Sequence, residues 1–297
     1  MTSSRTTRPA APTLGRRSFM AAAVPLALGA SGLALAQEKT ALEKIRDSGV
    51  LKVALYKENE PYSDGVIGKM TGVDVSLAEA LARELKLTAS LMAFDAGENM
   101  GDDLRNMVWK GHYLGYGPAD VMLHVPLDKY FMEENRQAFI FGPYTREHLV
   151  VLHNPKTLPS VYNPEDLEGK KIAVEQGTGA ASAVLGYRGG LLRNQVVLFK
   201  SGLEAARAAL TGQADTAFVS LAQAEAAVFA QKLDRSQWAF SKLTVPGVPP
   251  NGWALGMAVK ASNKALAELL DQALDDLRKR GELLRIFQSH GLTLAAP

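Results

Sequence analysis

The chain has 297 residues, of which 47% are hydrophobic and 22% charged, with a formal net charge of +2 and no cysteine. That length accommodates two compact domains, and the missing cysteines exclude disulfides, thiol chemistry and cysteine metal sites. The positive balance is confined to the first 36 residues. Without Arg5, Arg8, Arg16 and Arg17, 29 basic residues stand against 31 acidic ones, so no basic face for nucleic acid is expected.

Residues 1–36 have the three parts of an export signal. Basic residues end in Gly15-Arg16-Arg17-Ser18-Phe19-Met20, an alanine-rich apolar run follows, and Ala34-Leu35-Ala36 is a small-x-small cleavage site. Paired arginines before Phe19 point to twin-arginine export; an ordinary export signal with adjacent arginines is the alternative. The apolar run is broken by Pro25, Gly29 and Gly32 and falls short of the ~20 residues that cross a bilayer. The mature chain is expected to start after Ala36, to lack a membrane span and to work in the periplasm.

From there, strands and helices alternate. Ala41 to Ser48 reads as a helix stopped by Gly49, and Val50 to Tyr56 as a strand buried on both faces. Glu60-Pro-Tyr-Ser-Asp64 is the loop that leaves it. Val73, Leu77, Leu81 and Leu85 recur every four residues, the stripe of an amphipathic helix. Leu87 to Phe94 is the next strand, which makes a parallel pair with a helical crossover. Asn99 to Asp128 then reads as a helix over Asp102–Trp109, a Gly/Tyr loop, and a buried strand ending at His124. Phe139–Tyr144 and Glu147–Leu152 form an extended connection into a second lobe.

The second lobe repeats the alternation, with strands at Ile172–Val174, Val196–Phe199 and Thr216–Val219. Its helices start at Ala180, Gly202 and Ala222. Val245-Pro-Gly-Val-Pro-Pro-Asn-Gly252 excludes regular helix or central strand and reads as the return crossing. Trp253–Val259 is a strand, and Asn263–Arg280 and Glu282–Ser289 are helices.

Gly49-Val-Leu-Lys-Val-Ala, Gly72-Val-Asp-Val-Ser-Leu-Ala-Glu-Ala-Leu-Ala, Asp166-Leu-Glu-Gly-Lys-Lys-Ile-Ala-Val, Gln176-Gly-Thr and Gly212-Gln-Ala-Asp215 occur in order. Together they resemble the family 3 solute-binding proteins of ABC importers, the polar amino-acid branch. The resemblance implies a two-lobed α/β fold, each lobe a mixed, mainly parallel sheet flanked by helices. Lobe 1 comprises residues 37–145 plus 251–297 and lobe 2 residues 146–250, joined by two crossings with a ligand cleft between them. In that branch an arginine after the third strand holds the ligand carboxylate; here the position falls on Asn135, with Arg136 one place off. An aspartate holds the ligand ammonium; here the position is Ser220. Both charged clamps are therefore expected to be absent.

Asp102 to Gly115 and Ala119 to Pro126 are similar to the solute-binding-like proteins that accompany pyrroloquinoline-quinone (PQQ) alcohol dehydrogenases, the MoxJ/XoxJ type. That likeness implies a periplasmic accessory of a PQQ-dependent alcohol (methanol) dehydrogenase, with the dehydrogenase or its cytochrome c as partner. The alternative is the receptor of an ABC importer for a small polar solute.

The expected cleft residues are Tyr62, Asp64, His124, Asn135, Arg136, Tyr144, Gln176, Gly177, Thr178, Gly179 and Ser220, around a small molecule or a peptide. Gln176–Gly179 opens a helix whose N–H groups suit a polar or anionic ligand; a helix cap by Thr178 is the other reading. Tyr62 and Tyr144 either face the cleft or pack in a core, and His124 either bonds a ligand or is a satisfied core residue. Trp109, His112, Tyr113 and Tyr116 are a candidate interface loop, or a loop folded on its own aromatics. Gly142, Pro143, Asn251 and Trp253 are the expected hinge positions. Glu98, Asp102 and Asp103 read as a solvated first helical turn in preference to metal ligands. The sequence has neither HExxH, G-x-S-x-G nor a Gly-Lys-Ser/Thr loop; no cofactor and no enzyme activity are expected.

Overall fold

A computed structural model describes residues 39–297; the expected export signal, residues 1–36, lies outside them. Among the described residues, no helix is long and apolar enough to cross a membrane.

Helix α1 (Ala41–Ser48) starts on a Thr40–Glu43 capping box and stops at Gly49 in the left-handed conformation. Strand β1 (Val50–Tyr56) follows, then α2 (Val73–Glu84) and β2 (Thr88–Phe94). Val73, Leu77 and Leu81 of α2 are fully buried, so the four-residue stripe does face the sheet. The chain continues through α3 (Met100–Leu104), a π-helical turn over Arg105–Trp109, β3 (Val121–Pro126), α4 (Lys129–Glu134) and β4 (Ala138–Glu147). Strand β10 (Trp253–Lys260) returns from the far end of the chain and is covered by α8 (Lys264–Lys279), while α9 (Glu282–Ser289) packs against α8 and α2. The first sheet has the order β2-β1-β3-β10-β4, with β10 antiparallel to both neighbours.

The second sheet is built from β5 (Leu149–His153), β6 (Ile172–Glu175), β7 (Val196–Phe199), β8 (Thr216–Ser220) and β9 (Ala239–Lys242), in the order β7-β6-β8-β5-β9. Helices α5 (Gly179–Gly186), α6 (Gly202–Leu210) and α7 (Leu221–Ala230) flank it. Each sheet thus has four strands running one way and one, β10 or β5, running against its neighbours.

The first sheet carries two irregularities that matter for the site. In β3, Leu123 pairs with Met257 and Val125 with Gly256, so His124 is an extra residue, with φ +63°. In β4, Phe141 pairs with Met257 and Thr145 with Leu255, which leaves Gly142-Pro143-Tyr144 opposite Gly256. Bulges of this kind re-aim side chains. Gly256 between them has no room for a side chain, because an added Cβ would sit 2.5 Å from the Phe141 carbonyl oxygen.

Two expectations change here. The first crossing lies at His148, between β4 and β5. Gly142 and Pro143, expected as hinge residues, belong to the β4 bulge inside the first sheet. Asp103, expected in a solvated turn, is buried. Its carboxylate accepts from the Tyr56 hydroxyl at 2.7 Å and the Gly97 N–H at 2.8 Å, and burial raises its pKa.

Candidate functional site

Between the two sheets lies a cavity of about 300 Å³, lined from both lobes and both crossings. The first lobe contributes Asn59, Glu60 and Tyr62 from the loop after β1, His124 from β3, Glu147 from the end of β4 and Trp253 from the start of β10. The second lobe contributes Glu175, the α5 start at Thr178–Ala180, Phe218–Ser220 and Gln223. Leu149 and Gly247–Pro249 complete the walls.

The floor is a buried polar network. Asp74, in the first turn of α2, is fully buried. It accepts from the Tyr144 hydroxyl at 2.7 Å, and His124 Nδ1 lies 3.1 Å from its other oxygen. The two bulges bring these partners together, since they turn His124 and Tyr144 off their strands toward α2. Gly72 allows the approach, because a Cβ there would collide with the Tyr62 carbonyl, to which the Asp74 N–H donates at 2.8 Å. The Tyr62 and His124 rings then pack at 4.4 Å between centroids.

Glu147 is the second buried acid, 6% exposed, and it accepts hydrogen bonds from Tyr62, Ser220 and the Ala222 N–H. Burial nonetheless raises its pKa, because three donors do not replace the water lost by a buried carboxylate. Glu60 is also raised, first by burial and then by the charge of Asp64. Burial lifts Tyr62 and Tyr144 well above the ordinary phenol value, so both hydroxyls keep their protons. On the opposite wall, Glu175 accepts from the Gly202 N–H at 2.9 Å and Gln223 Nε2 at 3.2 Å. Thr178 caps α5 by accepting from the Ala181 N–H at 3.2 Å. The Asn59 side-chain amide nitrogen is buried without a hydrogen-bond partner.

Of the residues expected in the cleft, Tyr62, His124, Thr178, Gly179 and Ser220 line the cavity. Tyr144 lies beneath it. Asp64 lines an adjoining groove with Glu58, Glu60, Glu175, Lys200 and Glu204. Gln176 and Gly177 are exposed beside the cavity. Asn135 and Arg136 are displaced from the site. Asn135 follows the end of α4, where its side chain donates to the Phe131 carbonyl, and Arg136 is exposed with Nε on the Glu133 carbonyl. Among the described residues, no lysine or arginine lines the cavity. Ser220, at the ammonium-clamp position, caps α7 and supports Glu147.

Trp253, expected at a hinge, is a cavity wall, whereas Asn251 is exposed in the turn before it. In the Gly/Tyr loop, His112 stacks on Tyr113 and Tyr116 at 4.3 and 4.2 Å, while Trp109 packs against the apolar cluster behind β3. Tyr113 is 89% exposed and Leu114 68%. Sequence reasoning missed Asp74, Glu147 and Glu175 as site residues. Glu147 had a visible signal, a lone carboxylate in an otherwise extended stretch between Phe139 and Leu152.

The topology is that of the two-lobed periplasmic binding protein fold. The chain is similar to an ancestral cationic amino acid solute-binding protein, with 20% identity, coverage of 85% of this chain and 100% of that one, and a TM-score of 0.63. It is likewise similar to an amino acid ABC transporter substrate-binding protein from Streptococcus pneumoniae bound to L-arginine, with 19% identity, coverage of 86% and 100%, and a TM-score of 0.58. In sequence it is 30% identical over 170 residues to the L-cystine-binding protein TcyJ of Escherichia coli K12, a match over 56% of this chain and 58% of that relative. No family model matches the chain.

Proposed function

We propose that this protein is an exported, periplasmic receptor that delivers a small polar solute to an ABC importer. The observation that carries this reading is the cavity itself. Its walls come from both lobes and from both crossings, so a solute there touches every part that must move for the lobes to part. Relatives that bind L-cystine and L-arginine support the same reading. Residues 1–36 supply the export signal, with the twin-arginine route as its form.

A second reading is favoured by one observation. The aromatic loop around Tyr113 and Tyr116 leaves large side chains in solvent, a pattern suited to protein contact. On this reading the protein is an accessory of a PQQ-dependent alcohol dehydrogenase, which it binds or helps to mature. A thermal-shift screen of small solutes beside a pulldown with the dehydrogenase separates the two. A solute that raises Tm by several degrees, with no dehydrogenase recovered, supports the receptor. Dehydrogenase recovered through the loop, and lost in Tyr113→Ala, supports the accessory.

A further inference from the structure

The charges around the cavity are one-sided. Glu60, Glu147 and Glu175 line it, and its outer groove adds Glu58, Asp64 and Glu204 against the single ammonium of Lys200. Glu60 and Glu175 belong to both spaces, so the groove opens onto the cavity. A ligand carboxylate in the cavity would meet carboxylates; the nearby guanidinium, Arg207, lies outside it, in the space behind Glu60 and Asp64. The α5 first turn offers backbone N–H groups, but a helix end is worth about half a charge, which three carboxylates outnumber.

Two further features describe the ligand. Trp253, with Tyr62 at the cavity floor, brings aromatic rings beside the acids, the surroundings that hold organic cations. The N–H groups of the α5 first turn, at the cavity wall, call for a neutral acceptor elsewhere on the ligand.

We propose that the cavity takes a small organic cation without a carboxylate, an amine whose other end carries a hydroxyl, amide or ester oxygen, in place of a zwitterionic amino acid. This rests on the receptor reading above and narrows it. Glu147 and Glu175 face the ammonium from opposite lobes, so binding draws the lobes together. The acidic groove outside steers cations inward, an effect that salt weakens.

The test is titration calorimetry of the purified protein with matched pairs that differ only in the carboxylate. L-lysinamide is compared with L-lysine, and L-alaninol with L-alanine; glucose is the neutral control. The expected result is that the amide and the alcohol bind at least about tenfold more tightly than their parent acids. Raising the salt should narrow the gap, and Glu175→Gln should weaken the cations at least about fivefold. Glu147→Gln is the companion variant, with circular dichroism to show that each variant is folded. Equal or tighter binding of the free amino acids overturns the proposal, as does binding of glucose alone; both leave the receptor reading standing. Silence of every solute overturns the receptor reading and the proposal with it.

Discussion

The Tyr144 hydroxyl donates to Asp74 at 2.7 Å, and neither residue has any exposed surface. This bond joins the β4 bulge to the start of α2 and fixes one oxygen of Asp74, while His124 engages the other. The His124 ring, which lines the cavity, is therefore held from behind by a buried acid. Tyr144→Phe keeps the packing and removes only the donor. It should cost about 2 kcal/mol in urea unfolding, the loss expected when a buried charged acceptor gives up one partner. His124→Ala should instead weaken ligand binding more than it lowers stability.

Glu147 makes stability and binding depend on pH in opposite ways. Burial raises its folded pKa above the unfolded value near 4.3. Its contribution to stability is complete below the unfolded pKa and is lost as pH rises through the folded one. The Tm of Glu147→Gln relative to wild type should therefore shift upward from pH 4 to pH 7. Cation affinity should fall as the pH drops through the same window, where Glu147 takes up its proton facing Tyr62, His124 and Ser220. Calorimetry at several pH values on both proteins reads this directly, and the variant should lose that part of the pH dependence.

His153 provides the reverse case. It is buried in β5, with Nδ1 2.8 Å from the Leu158 carbonyl and Nε2 2.9 Å from the Ser241 hydroxyl. Burial lowers its pKa, so the folded chain holds it neutral while the unfolded chain protonates near pH 6.5. Its stabilising contribution is present above that value and is lost as pH falls toward the folded pKa. Urea midpoints should decline between pH 7 and pH 5, and less so in His153→Gln.

Beyond the two crossings, the C-terminal tail also ties the lobes. Glu225, buried in α7, accepts from the Thr293 N–H and hydroxyl, both at 2.7 Å, and from Arg235. The neighbouring Ala295 carbonyl accepts from the Arg146 N–H of β4 at 3.3 Å. Thr293→Val removes the hydroxyl and keeps the shape. It should cost about 1.5 kcal/mol, the scale of a hydrogen bond to a buried carboxylate. The change should appear in the urea midpoint with cation affinity reduced less than fivefold, because the tail does not line the cavity.

The alternation of strands and helices was legible because apolar periodicity reports burial, and nearly every buried strand was also apolar in sequence. The short edge strand β9, Ala239–Lys242, and helix α4, which has no buried residue, were not, since neither carries that pattern. The site was legible where glycine or proline marks a loop, as at Tyr62 and Thr178–Gly179. It was illegible where the geometry depends on a register shift. His124 was expected to close a strand, yet it is the extra residue inside β3, and only the pairing with Gly256 and Met257 reveals where its ring points. Asp74 was hidden for a related reason: a carboxylate in the first turn of a helix ordinarily reads as a solvated dipole partner. The position assigned to the arginine clamp depended on counting along a segment whose helix, α4, had not been foreseen.

Calorimetric titration of the purified protein with L-lysinamide, repeated on Trp253→Ala, is the most direct measure of whether the space between the lobes is a ligand site. The account predicts one molecule bound per chain, with affinity at least about tenfold weaker once the indole wall is removed. Binding of unchanged strength in Trp253→Ala, or no binding of any amine, amino acid or sugar to the wild-type protein, would contradict it.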